Sequence, residues 1–257
     1  MTRETNRRTV LRGSAAVAAV LATGSAATSP ASATPAPVRE RRGPRVGILL
    51  YDGFSLLDAT GPAEILSRLP DATVTMIAEQ RGPVRTDTGD VAVLAERSIA
   101  EVDRLDVLLV PGAGNRGTLA AMGNRVLLDW IRAIHRSTQW TSSVCTGSLV
   151  LAAAGMLDGR RATTYWASAE YLEQTFNVTY EAQRYVRSGK IITAAGVSAG
   201  IDMALYLAAL IAGKATARAV QLAVEYDPQP PFDSGNAADA DNRLKRHALE
   251  LLEWSAG

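Results

Sequence analysis

The sequence predicts one α/β domain built on a doubly wound, mostly parallel sheet with helices on both faces. Three observations carry this prediction. RVGILLY at Arg45–Tyr51 is a short, unbroken apolar run, and Asp106–Val110 and Trp140–Val144 read as further buried strands, as a sheet covered on both faces requires. Segments with helical periodicity alternate with these strands. Apolar residues make up 47% of the 257-residue chain, enough for one sizeable core.

The first 33 residues stand apart from that domain. Asn6-Arg7-Arg8-Thr9-Val10-Leu11-Arg12 has a twin-arginine core, Gly13–Ala27 is a weakly apolar stretch, and Ala31-Ser32-Ala33 offers a cleavage site. Residues 1–33 therefore read as a twin-arginine export signal, and the expected location is extracellular or in the cell envelope. The alternative is a disordered basic tail. Residues 34–44, rich in Pro and Arg, read as a solvated linker, and the domain spans 45–257 with a C-terminal helix. Removing the first 33 residues takes away Arg3, Arg7, Arg8, Arg12 and Glu4, turning a net charge of +1 into −2. No electrostatic footprint for nucleic acid is left. The longest apolar stretch, Val197–Ala212, contains Ser198 and Asp202 and falls short of the ~18–20 residues needed to cross a bilayer. No membrane partner is expected once the signal is removed. The one cysteine excludes an internal disulfide framework.

In chain order, Arg45–Tyr51 is a central strand and Asp52-Gly53 a turn. A helix is expected from Gly61-Pro62, with Thr60 as its N-cap and Pro62 in its first turn. This leaves Asp58 in a loop at the carboxyl end of the first strand, the edge at which open α/β sheets bind ligands. Asp58 reads either as a solvated or capping carboxylate or, given its neighbours Leu56 and Leu57, as a group drawn inward. Ala72–Ala78 is the next strand, and Gly82–Ser98 a small antiparallel excursion. Asp106–Val110 leads into Pro111-Gly112-Ala113-Gly114, whose spacing is neither a P-loop nor a dinucleotide fingerprint. The amides around Gly112 and Ala113 are expected to line a small pocket. Leu119–Arg136 reads as one amphipathic helix with Leu127, Leu128, Ile131 and Ile134 buried.

The strand Trp140–Val144 then breaks at Cys145 and restarts as a small-residue helix, Ser148–Ala154, ended by Gly155. A residue at such a strand-to-helix corner is lifted out of the sheet, the geometry of a nucleophile elbow. Backbone N–H groups at the helix start are expected to lower the thiol pKa. The alternative is a buried cysteine acting as a small hydrophobe. A carboxylate brought near the thiol would be pushed toward its protonated form, making Asp58 a proton donor and acceptor for Cys145. Strands at Val178–Tyr180 and Arg184–Thr193, a buried helix to Ala212 stopped by Gly213, a helix at Ala215–Glu225, an irregular Pro228–Asn236 strap and a helix at Asn242–Trp254 complete the chain. His135 and His247 fall on helices, where packing or surface roles are expected.

The stretches GILLYDGFSLLDATGPAEIL, VPGAGNRG, TSSVCTGSLVLAAAGMLDGRRATTYW, GVSAGIDMALYLAALIAG and VQLAVEYDPQPPF together resemble isonitrile hydratases. These belong to the ThiJ/PfpI superfamily, which has a flavodoxin-like, class I glutamine amidotransferase-like fold. The resemblance runs from about Val46 to Phe232. It implies hydration of an isonitrile to an N-substituted formamide with no metal and no organic cofactor, a small-molecule substrate and a homodimer. Cys145 maps onto the nucleophile, Asp58 onto its paired carboxylate, and Thr146 onto the threonine that follows. Thr146 either steadies developing charge or caps the helix. Relatives usually carry TTHW where this chain has Thr163-Thr164-Tyr165-Trp166, so Tyr165 and Trp166 read as pocket wall or as part of the chemistry.

Other readings compete with this one. A cysteine peptidase of the superfamily would place His directly after the nucleophile, where Thr146 stands. Glyoxal-processing members pair the cysteine with Glu and His, absent from the matching positions. A non-catalytic small-molecule-binding domain like those fused to DNA-binding regulators shares the CTG and TT-x-W motifs, but no DNA-binding helices are expected after Trp254. A redox-sensing thiol is the remaining alternative.

Overall fold

A computed structural model describes residues 43–255. The predicted export segment and most of the lead-in lie outside the described residues. In chain order the elements are β1 (Arg45–Leu49), α1 (Leu56–Leu66), β2 (Thr73–Ala78), the hairpin strands β3 (Gly82–Arg85) and β4 (Ala92–Ala95), β5 (Arg97–Ser98) and β6 (Val107–Val110). Then follow α2 (Asn115–Gly123), α3 (Arg125–Ser137), β7 (Trp140–Val144), α4 (Gly147–Ala153), β8 (Arg160–Ala162), α5 (Ala169–Thr175) and β9 (Val178–Tyr180). The chain closes with β10 (Tyr185–Ser188), β11 (Ile191–Ala194), α6 (Ala199–Ala212), α7 (Lys214–Ala223) and α8 (Asn242–Ser255).

The main sheet has seven strands in the order β10-β11-β7-β6-β1-β2-β5. Every pairing in it is parallel except the antiparallel β10–β11 edge. Alternation along the strands divides the core into two apolar layers. Val107 and Leu109 of β6 point to one face with Ile65, Met203 and Leu207, while Leu108 and Val110 point to the other with Leu127, Ile131 and Val150. Both faces being covered explains why β1 and β6 are apolar runs without a polar side, whereas β7 is buried with Thr141, Ser142 and Ser143 inside it. Burying each such apolar side chain contributes about 1.5–3 kcal/mol.

Winding sets the position of the site. From β1 the chain crosses by α1 to β2 on one side, and from β6 by α2 and α3 to β7 on the other. The reversal between β1 and β6 opens a crevice beyond their carboxyl ends. The residues after β1, β6 and β7 meet there.

Two expected helix boundaries are corrected. Helix α1 begins at Leu56, not beside Thr60, and carries Pro62 in its interior. Pro62 removes only the amide that would have met the carbonyl of Asp58. Packing of α1 along α6 carries the helix through that gap. The expected single helix at Leu119–Arg136 is two, because Asn124 adopts an extended conformation and its side chain accepts from the Leu127 amide at 3.1 Å. An N-cap has replaced a helical turn there. The Gly82–Ser98 excursion is an antiparallel β3–β4 hairpin, as expected.

Candidate active site

Cys145 occupies the corner between β7 and α4 with φ of 55°. A non-glycine residue in this left-handed region is uncommon and must be held there by its surroundings. Its N–H donates to the carbonyls of Ala194 (3.2 Å), the last residue of β11, and Ala195 (2.8 Å), the residue after it. Its own carbonyl accepts from Ser148 Oγ at 3.1 Å and Thr164 Oγ1 at 3.2 Å. Backbone pinned from three elements keeps the side chain aimed into the crevice, where the residue is 5% exposed.

Asp58 sits in the first turn of α1 and is fully buried. The helix, rather than a loop, turns it inward, while Leu56 and Leu57 beside it remain partly exposed. Its Oδ2 accepts the Gly112 amide at 2.8 Å, and its Oδ1 is buried with no partner. Gly112 is the contact point of the site. A Cβ there would lie 2.8 Å from Asp58 Oδ2, 2.8 Å from Cys145 Cβ and 2.7 Å from the Thr146 nitrogen. Only a glycine lets the carboxyl and the thiol approach one another across this backbone.

Burial pushes the Asp58 carboxyl up to about 7, opposed by the Gly112 hydrogen bond and reinforced by Asp87. Burial first, and the Asp58 charge second, push the Cys145 thiol well above its ordinary value. The amides of Thr146 and Val197 act against that rise without reversing it. The expected lowering of the thiol by the helix start is thus corrected, because desolvation outweighs two amide dipoles. Cys145 and Asp58 form a buried acidic pair that holds one proton more readily than none.

The remaining expected residues surround this pair. The Thr146 hydroxyl makes no helix-capping bond. It accepts from the Ala113 amide at 2.9 Å, lies 3.0 Å from the Ala113 carbonyl and 2.9 Å from Thr118 Oγ1. It therefore fastens the loop after β6, leaving the Thr146 N–H to face the sulfur. The Gly112 and Ala113 amides, expected to line a pocket, are already taken by Asp58 and Thr146; they hold those two side chains in place instead. Tyr165 packs 3.2 Å from where a Cβ on Gly196 would stand, and its ring centroid is 5.4 Å from that of Trp166. Burial, and then Cys145, raise the Tyr165 hydroxyl, so it stays protonated and is no base at neutral pH. Among the described residues no group of three or more His, Cys, Asp or Glu is placed to hold a metal ion, and no helix is long and apolar enough to cross a membrane.

The profile of the DJ-1/PfpI family matches residues 44–210. The chain belongs to the DJ-1/PfpI family. It is 41% identical over 212 residues to an isonitrile hydratase from Pseudomonas putida, covering 80% of this chain and 91% of that protein. It is 30% identical over 187 residues to the transcriptional regulator CdhR of Pseudomonas aeruginosa, of which it spans 53%. Among solved structures, a ThiJ/PfpI family protein from Pseudomonas syringae superposes with a TM-score of 0.77 at 31% identity, covering 88% of this chain and 95% of that one.

Several residues of this DJ-1/PfpI site escaped sequence reasoning. The Val197 amide reaches the sulfur from the loop after β11, and a backbone donor leaves no trace in residue type. Asp87 enters from the β3–β4 hairpin, held by Ser55 Oγ at 2.6 Å. Thr118 and Tyr51 bond to the loop after β6. The paired threonines before Tyr165 carried a signal, since both are fully buried and Thr164 bonds the Cys145 carbonyl.

Proposed function

We propose that this DJ-1/PfpI protein hydrates an isonitrile, R–N≡C, to the N-substituted formamide, with Cys145 as nucleophile and Asp58 as proton carrier. The observation that carries the reading is the Asp58 carboxyl beside the elbow thiol with one oxygen buried and unengaged. Similarity to the Pseudomonas putida isonitrile hydratase supports the choice of substrate class.

The chemistry follows from one shared proton. As Cys145 sulfur bonds to the terminal carbon of the isonitrile, its proton passes through Asp58 to that carbon, giving a thioimidate, R–N=CH–S–Cys. Asp58, again a carboxylate, takes a proton from water as the water oxygen attacks the same carbon, and that proton goes to nitrogen. Collapse of the tetrahedral species breaks the C–S bond and releases R–NH–CHO; its hydroxyl proton returns by way of Asp58 to the sulfur. The Thr146 and Val197 amides oppose the cost of negative charge on sulfur during both exchanges. Tyr165 and Trp166 are assigned to the wall that receives R.

Purified protein given an alkyl or aryl isonitrile should form the formamide, and Cys145→Ala should abolish turnover. Denaturation during turnover should trap the thioimidate on Cys145 by mass. Turnover retained in folded Cys145→Ala protein refutes the covalent route. Export by the twin-arginine route is proposed from residues 1–33 alone, and Arg7→Lys with Arg8→Lys should hold the protein in the cytosol. A homodimer is proposed as well. It would cover apolar side chains such as Leu222 and Phe232, which stand 78% and 77% exposed, and light scattering would read its mass.

A further inference from the structure

Tyr51 lies two residues beyond the end of β1, and its hydroxyl donates to the Pro111 carbonyl at 2.6 Å. That carbonyl belongs to the same peptide unit as the Gly112 N–H, which donates to Asp58 Oδ2 at 2.8 Å. Phenol O–H, peptide C=O, peptide N–H and carboxyl oxygen thus form one continuous chain. A peptide that accepts a hydrogen bond at oxygen is a stronger donor at nitrogen, because electron density shifts along the unit. Held at its oxygen, the peptide also cannot rotate its N–H away from the carboxyl.

We propose that Tyr51 is a positioning residue that sets the proton affinity of Asp58 through the Pro111–Gly112 peptide. The inference rests on Asp58 being the proton carrier of the proposed reaction. Burial, then Asp58 and Cys145, raise the Tyr51 hydroxyl well above its ordinary value, so it is a neutral donor throughout the working range. The other titratable groups acting on this pair are Cys145 at the elbow and Asp87 from the hairpin. Asp87 is itself engaged by Ser55 Oγ and the Thr88 amide. Neither bonds the Pro111–Gly112 peptide, so a change at the Tyr51 hydroxyl reaches Asp58 by a route of its own.

The test titrates Asp58 directly by infrared spectroscopy, following the protonated carboxyl band that Asp58→Asn removes. Tyr51→Phe keeps the ring and deletes the donor, and the Asp58 midpoint should rise by about 0.5 pH unit. Site-specific 3-fluorotyrosine at position 51 makes the hydroxyl a stronger donor, and the midpoint should fall. The acid limb of kcat/KM should move with each midpoint. Should Tyr51→Phe not fold, the fluorinated protein decides by its sign. An unmoved midpoint, or movement in the opposite sense, overturns the proposal. The infrared titration needs no turnover, so failure to hydrate isonitriles would sink the proposed reaction and leave the role of Tyr51 to be read separately.

Discussion

Replacing Gly112 with alanine tests whether close approach at this residue makes the site. The backbone there is not in the left-handed region, so alanine brings no φ strain and its effect is steric. The added methyl would stand 2.7–2.8 Å from the Thr146 nitrogen, Asp58 Oδ2 and Cys145 Cβ, where ordinary contact needs about 3.5–4.0 Å. Relief requires each of the three neighbours to retreat by roughly 1 Å, and two of them belong to the groups proposed to react. A displacement of that size costs about 100-fold in rate, and overpacking costs about 1–3 kcal/mol in stability. For a domain of this size each kcal/mol lowers Tm by about 2–4 °C. We therefore expect kcat/KM for isonitrile hydration to fall about 100-fold, with Tm down by several degrees and a cooperative transition retained. Gly123→Ala, where an added Cβ meets nothing within 4 Å, is the control and should leave both unchanged. Near-parental rate and Tm in Gly112→Ala would refute the argument that the carboxyl and thiol meet across a bare backbone.

Two further outcomes follow from the same geometry. Asp58 has its folded pKa raised from 3.8 to about 7, so protein stability is fully present below the unfolded value and is lost as pH rises toward 7. Asp58→Asn escapes that loss, by linkage on the order of 4 kcal/mol, and its advantage in Tm over the parent should grow between pH 4 and pH 8 while turnover collapses; a difference independent of pH would contradict the raised carboxyl. Thr146→Val removes the acceptor of the buried Ala113 amide and should cost about 1–3 kcal/mol, seen as a lower urea midpoint. Turnover should fall with it because the loop carrying Gly112 loosens, although the Thr146 N–H remains.

The parallel sheet was legible because strands buried on both faces write themselves as apolar runs; β1 and β6 follow directly, and β7 follows from Trp140 and Val144 at the ends of a polar stretch. The elbow was legible because a lone cysteine between an apolar strand and a small-residue helix has few other readings. Asp58 was found, but in the wrong element: Gly61-Pro62 looks like a helix start, and only contact with α6 shows that the helix begins earlier. The Asn124 break was hidden because apolar periodicity continues across it. What the sequence withheld most completely was the sign of the thiol shift. Local residues named the amides of the helix start, whereas the burial of the elbow and the charge of Asp58 that outweigh them depend on chain segments distant in sequence, Asp58 some 90 residues away.

That sign bears on the mechanism. A thiolate formed in advance would need a cation, and the influences on Asp58 and Cys145 among the described residues are burial, acidic neighbours and amides, with no cation among them. Separating charge in such a place is costly, so the pair retains a proton and its total charge stays fixed while the proton moves between sulfur and oxygen. An isonitrile suits this arrangement. It is neutral, and its terminal carbon accepts both the sulfur and the proton that the sulfur gives up, so addition leaves the charge of the crevice where it began. A substrate whose attack left a full oxyanion would find two amides and no proton to spare beyond the one that Asp58 carries. The raised thiol is therefore no obstacle to the proposed reaction; it is the form of the nucleophile for which a carboxyl with a pKa about 7 is the matching partner.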